Sequence, residues 1–149
     1  MGIGEICNRQ VIVVTKEAKA AEAARLMREH HVGDVVVVME GAGARTPVGI
    51  LTDRDIVVEV VAAGLDPAFV SVGEITLGGV ATVDENTGVY ETIIYMRDKG
   101  IRRMPVVGAE GELIGIVTLD DLIELLAEEL NELARLIRHE QEKEMSERR

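Results

Sequence analysis

Gly49-Ile50-Leu51-Thr52-Asp53-Arg54-Asp55 returns 66 residues later as Gly115-Ile116-Val117-Thr118-Leu119-Asp120-Asp121. Each stretch is a glycine, two apolar residues and a threonine, with an aspartate three residues beyond the threonine. Toward the N-terminus the echo continues at an offset of 69: Gly4-Glu5-Ile6 recurs as Gly73-Glu74-Ile75, Met27-Arg28 as Met96-Arg97, Val32 as Ile101, and Val37-Val38 as Val106-Val107. The lost residues fall where Glu40 to Pro47 stands against the shorter Gly108 to Glu112, and turns absorb such length changes. Two copies of a unit of about 60 residues therefore make up most of the chain, and a unit of that size is marginal alone. The copies are expected to share a core. They divide the 149 residues into repeat 1 (1–68), repeat 2 (69–130) and a helical, charged extension (131–149).

Within each copy the periodicities place the elements. Val11-Ile12-Val13-Val14 is a β-branched run and reads as a strand, with Val80-Ala81-Thr82-Val83 as its counterpart. Ala20 to Arg28 is built of helix formers with apolar residues at helical spacing, and Val89 to Met96 repeats it. Val35 to Met39 followed by Val48 to Leu51, and Met104 to Val107 followed by Leu113 to Val117, read as hairpin strands. A second helix starts near Asp53 and near Leu119. The fold class is α/β, with the order β-α-β-β-α in each copy. Pro105 cannot donate to a ladder, which predicts an edge strand or the first residue of its strand. The last helix does not stop on schedule: Leu122 to Arg138 holds neither Pro nor Gly, and Leu126, Leu130, Leu133 and Ile137 form a short heptad stripe that packs either on its own domain or on another subunit. Glu140 to Arg149 is expected to fray.

Composition excludes several classes. The formal net charge is −11, from 16 basic and 27 acidic side chains, and such a surface repels a phosphate backbone unless its bases cluster. Nucleic acid is a poor partner. With no Trp, and Phe69, Tyr90 and Tyr95 as the aromatic residues, platforms for stacking bases are nearly absent. No apolar run reaches the roughly 18 residues of a membrane span, and Met1 to Glu5 lacks the basic start of a signal peptide. A lone Cys7 forms no internal disulfide and suits a reducing compartment, so a cytoplasmic location is expected.

The duplicated Thr-x-x-Asp sits where a strand ends and a helix begins. One reading is a capping box, the Thr oxygen accepting an orphan helix N–H and the acid reaching back. The other is a ligand hook: a hydroxyl for ribose or phosphate, a carboxylate for vicinal ribose hydroxyls, and a helix N-terminus favouring phosphate. The two roles can coexist in one motif.

With Val11 to Val14, Val32 to Val38, Gly49 to Asp55, Ile101 to Val107 and Gly115 to Asp121 in this order, the chain resembles a pair of cystathionine β-synthase (CBS) domains, the tandem called a Bateman module. The resemblance covers about residues 4 to 130 and implies two CBS repeats packed with pseudo-twofold symmetry. Two clefts between them would bind adenosine-containing ligands: AMP, ADP or ATP, and less often S-adenosylmethionine or a dinucleotide such as NAD. It implies one cleft using Thr52 and Asp55 with Val80, Ile101 and Arg102, and a second using Thr118 and Asp121 with Val11, Val32 and Gly33. Arg54, Arg102 and Arg103 are the phosphate candidates, ahead of Lys16 and Arg45. The first copy departs from the pattern: Val36 stands where the second has Pro105, and Gly33-Asp34 where it has Arg102-Arg103, so Asp34 opposes phosphate at the second cleft.

Catalytic machinery is not visible. His30 and His31 point about 100° apart on a helix and with His139 make no standard metal pattern, and no phosphate-cradling Gly-rich loop with Lys is present. No metal is required. Three functions compete: a non-enzymatic adenine-nucleotide sensor that signals to a regulated partner protein, a small enzyme using the cleft, and an interaction module with vestigial clefts. The resemblance also implies a homodimer, through exposed faces of the second helices around Ile56, Val57, Val60, Leu122, Ile123 and Leu126.

Overall fold

The computed structural model describes residues 1–148, and the order strand, helix, strand, strand, helix is present twice. In the first copy β1 (Val13–Val14) leads to α1 (Ala20–His30), then β2 (Asp34–Gly41), β3 (Ala44–Thr52) and α2 (Asp53–Ile56), which runs on as a π-turn over Val57–Val61. A short helix α3 (Val72–Ile75) precedes the second copy: β4 (Val83–Asp84), α4 (Val89–Lys99), β5 (Arg103–Val107), β6 (Leu113–Thr118) and α5 (Leu119–Glu147). Two three-stranded sheets result, ordered β1-β2-β3 and β4-β5-β6. Their registers obey the repeat: Val14 pairs with Val37 in parallel, and Val83 with Val106, each partner 69 residues on. Both first helices also end alike, on a left-handed residue, His31 (φ 54°) in one and Gly100 (φ 66°) in the other.

The chain separates into two compact bodies, residues 1–117 and 118–149. In the first, successive side chains of β2 alternate between two cores, as strand geometry requires. Val35 and Val37 pack with Val14, Ala23, Met27, Leu51 and Val72. Val36 and Val38 pack with Ile116 of the second copy, flanked by Val11, Val13, Ile50 and Leu113. The expected shared core is this second cluster, and burial on both faces explains an unbroken valine run.

The copies also exchange their lead-ins. Ile3 and Gly4 donate to the Thr87 and Glu85 carbonyls at 2.7 and 2.9 Å, while Val72 and Gly73 donate to those of Ala18 and Lys16 at 2.7 and 2.9 Å. These are the same contacts shifted by 69 residues, so each copy's opening turn is clamped on the other copy's body. The N-terminal strap continues to Asn8, which exchanges two backbone bonds of 2.9 Å with Ile116.

Several expectations are corrected. Pro105 lies in the middle of β5, the central strand of its sheet. The reason is local: Val36, its counterpart, donates its N–H to Ile12 at 2.9 Å, whereas the parallel ladder of the second copy begins only at Val83–Val106, just past the proline. The missing donor falls where the neighbouring strand has not started. The opening strands are shorter than expected, beginning at Val13 and Val83 rather than Val11 and Val80. The terminal stretch does not fray after Arg138: α5 is helical to Glu147, where Lys143–Glu147 and Glu144–Arg148 pairs lie one turn apart. Arg149 lies outside the described residues. Val60 and Leu122, expected on an exposed face, are 0% and 3% exposed, and Ile56 is half-buried against two core clusters. Val57, Ile123 and Leu126 are exposed as expected.

Candidate functional site

Both Thr-x-x-Asp motifs form complete capping boxes. Thr52 Oγ1 accepts from the Asp55 N–H at 3.1 Å, and Asp55 Oδ2 accepts from the Thr52 N–H at 2.9 Å. Thr118 and Asp121 repeat this at 3.2 Å in each direction at the start of α5. The cap leaves ligand capacity in hand. A threonine hydroxyl that accepts one bond still has its O–H to donate, and a carboxylate has about four acceptor sites. Replacing Thr52 by alanine is expected to cost about 1 kcal/mol through the lost cap, read as a melting-temperature drop of roughly 2–4 °C for a chain of this size. Thr52→Ser should melt like the parent.

Thr52 opens onto a cavity of about 360 Å³ within residues 1–117. Three segments wall it: Gly49, Ile50 and Thr52 at the end of β3, the connector from Thr76 to Ala81, and Ile101, Arg102 and Arg103 at the start of β5. Of the residues expected in the first cleft, Thr52, Val80, Ile101 and Arg102 meet here, joined by the phosphate candidate Arg103. Asp55 is half-buried one step behind, holding the Thr52 backbone, and Arg54 is exposed and outside the lining. Val11 and Gly33 are half-buried and Val32 is 37% exposed, all in the same body. Lys16 lines a separate hollow beside Glu17 and Glu40, and Arg45 is exposed on the hairpin opposite Glu40.

The connector had no motif to announce it. Its one signal is Gly78-Gly79, with Gly78 at φ +89°, a conformation that glycine adopts without strain. The connector also approaches β3 closely, because a Cβ on Gly49 would stand 2.7 Å from Thr76 Cγ2.

Electrostatics divide the two adjacent arginines. Arg103 forms an ion pair with Asp34 across the copies, the side chains being 34% and 19% exposed. The two positions are 69 residues apart, so the repeat-equivalent residues meet each other. Asp34 is therefore neutralised by Arg103. Arg102 lines the cavity, is exposed, and among the described residues has no acidic partner.

Comparison with known proteins agrees with this architecture. The CBS domain family profile matches residues 3–62 and 72–128, and the chain belongs to that family. CBS pairs are typically regulatory, ligand-binding modules. An uncharacterized protein of Methanopyrus kandleri, MK0525, is 42% identical over 125 residues, which is 84% of this chain but 62% of that protein. Hypoxic response protein 1 of Mycobacterium tuberculosis is 36% identical over 83% of this chain and 84% of its own. The crystal structure of Hypoxic Response Protein I with two coordinated zinc ions matches at a TM-score of 0.73, with 34% identity over 83% of this chain and 98% of that one. The CBS pair of MJ0100, in complex with 5′-methylthioadenosine and S-adenosyl-L-methionine, matches at 0.72, with 26% identity over 85% and 99%. The cytosolic domain of the Mg²⁺ channel MgtE, in complex with ATP, matches at 0.70, with 28% identity over 83% and 48%. Among the described residues no group of three or more His, Cys, Asp or Glu is placed to hold a metal ion. Nor is any helix long and apolar enough to cross a membrane.

Proposed function

We propose that this chain is a non-enzymatic sensor whose cavity takes an adenosine nucleotide (AMP, ADP or ATP) and whose occupancy is signalled to a partner protein. One observation carries the reading: a capped Thr52 hydroxyl, an apolar wall and the unpaired Arg102 converge on a single hollow. At about 360 Å³ it falls in the range of small-molecule sites. The adenine lies among Ile50, Val80 and Ile101, read through backbone groups of the connector, which suits a chain almost without aromatic residues. Thr52 donates to ribose or phosphate oxygen, Asp55 holds Thr52 in place and offers its remaining lone pairs to ribose hydroxyls, and Arg102 takes the phosphate. Arg103 contributes what its pairing with Asp34 leaves over, since a guanidinium carries five N–H donors. Thr118 and Asp121, capped in the same way, are the second hook.

Neighbours take ATP in one case and S-adenosylmethionine in another. A cation at the mouth favours the phosphorylated ligand over the positively charged sulfonium. Calorimetry of the purified chain with AMP, ADP, ATP, S-adenosylmethionine and NAD tests this. Saturable binding of an adenylate without turnover is the expected result, and the absence of heat with all of them overturns it. Retention of both caps with no binding would identify an interaction module.

A further inference from the structure

Helix α5 continues well past residue 128, where the family match ends. Leu119, Ile123, Leu126, Leu130, Leu133 and Ile137 follow one another at spacings of 4, 3, 4, 3 and 4, and all stand between 37% and 68% exposed. An apolar strip of about 28 Å at 1.5 Å per residue is left without cover, and contiguous apolar strips of that kind mark interaction surfaces. We infer that this seam pairs with the same seam of a second copy, as a parallel two-stranded coiled coil.

The alternating spacing sets the heptad: Ile123, Leu130 and Ile137 fall at a, and Leu119, Leu126 and Leu133 at d. Two of the three a residues, Ile123 and Ile137, are β-branched and every d residue is leucine, and β-branched a with leucine d favours two parallel strands. The charges agree. In a parallel pair, each g position faces the e position five residues on in the other helix, so Glu129 meets Ala134 and Leu136 meets Gln141. No like charges are opposed. An antiparallel pair would place Glu129 beside its own counterpart. Asp120 lies at e in the first turn, where the opposing g position, 115, belongs to β6 and not to the helix. Asp121, Glu124, Glu128, Glu132 and Glu142 lie at b, c and f, facing water, and that acidic face repels an anionic membrane surface. Glu140 and Glu144 occupy the next d and a positions and end the seam.

This pairing is independent of the nucleotide reading, and its test uses no nucleotide. In a Cys7→Ser background of the full chain, Ile137→Cys at a is mildly oxidised and compared with Glu128→Cys at f. Ile137→Cys is expected to be trapped as a disulfide-linked dimer of twice 16.2 kDa, with little from Glu128→Cys. Adding Leu130→Glu, on an exposed surface, should abolish trapping while the melting of the 1–117 body is unchanged. Equal trapping at both positions, no trapping, or trapping indifferent to Leu130→Glu would each overturn the pairing.

Discussion

Arg102→Ala is expected to weaken adenylate binding by roughly 10- to 100-fold, since a hydrogen bond to a charged group is worth about 1.5–3 kcal/mol and each 1.4 kcal/mol is a factor of ten. The loss should be confined to phosphorylated ligands. Adenosine, which gives the guanidinium nothing to hold, should bind parent and variant alike, so titrating both ligands separates a phosphate contact from general damage to the cavity. The unliganded melting temperature should not move, because Arg102 is exposed and has no acidic partner among the described residues. Arg103→Ala should show the reverse balance. Its guanidinium already holds Asp34, whose side chain is 19% exposed, so removing it strands a largely buried carboxylate and lowers stability more than affinity. Equal losses for adenosine and ATP in Arg102→Ala would remove Arg102 from the phosphate position.

The duplication made much of this legible before any coordinates. An offset of 69 carries the Val14–Val37 pairing onto Val83–Val106 without adjustment, and the shorter second hairpin is where the sequence comparison put the deletion. Both Thr-x-x-Asp motifs became the caps that their spacing implies. What stayed hidden was of a different kind. The connector from Thr76 to Ala81 walls the cavity by chain path and glycine rather than by reactive side chains, so composition did not single it out. Pro105 was misplaced because strand rules assume a neighbour on both sides, whereas β4 starts beyond it. The resemblance implies an outward dimer face at Val60 and Leu122, yet both are buried, Val60 in a cluster with Ala20 and Val70 that no local pattern announces. The Asp34–Arg103 pair was open to inference: residues at equivalent repeat positions approach each other at a pseudo-twofold axis, and here they carry opposite charges.

The largest structural effects should come from the glycine of the repeated motif, and they should differ between copies. A Cβ on Gly115 would stand 2.6 Å from the Asn8 carbonyl oxygen and 2.7 Å from Cys7 Sγ, with Ile116 beside it bonded to that same strap. Backbone cannot rotate aside, so Gly115→Ala must displace the N-terminal strap and break the Asn8–Ile116 exchange. A loss of about 2–3 kcal/mol is expected from overpacking of this kind, seen as a melting point lower by roughly 5–10 °C at this chain length. At Gly49 the obstacle is a single methyl, Thr76 Cγ2 at 2.7 Å, the equivalent position to Cys7. Gly49→Ala should therefore push the connector off β3, lowering both stability and adenylate affinity, because Thr76 and Gly49 share the cavity wall. Thr76→Ser deletes that methyl while keeping the hydroxyl that donates to the Val72 carbonyl at 2.5 Å. The double variant Gly49→Ala with Thr76→Ser should recover most of what the single variant lost, whereas Cys7→Ala should do little for Gly115→Ala, whose closest contact is a carbonyl oxygen. Thermal melts of the parent, the single variants and the two double variants decide it: additive losses at Gly49 and Thr76 would show that the methyl is not what fixes the separation of strand and connector.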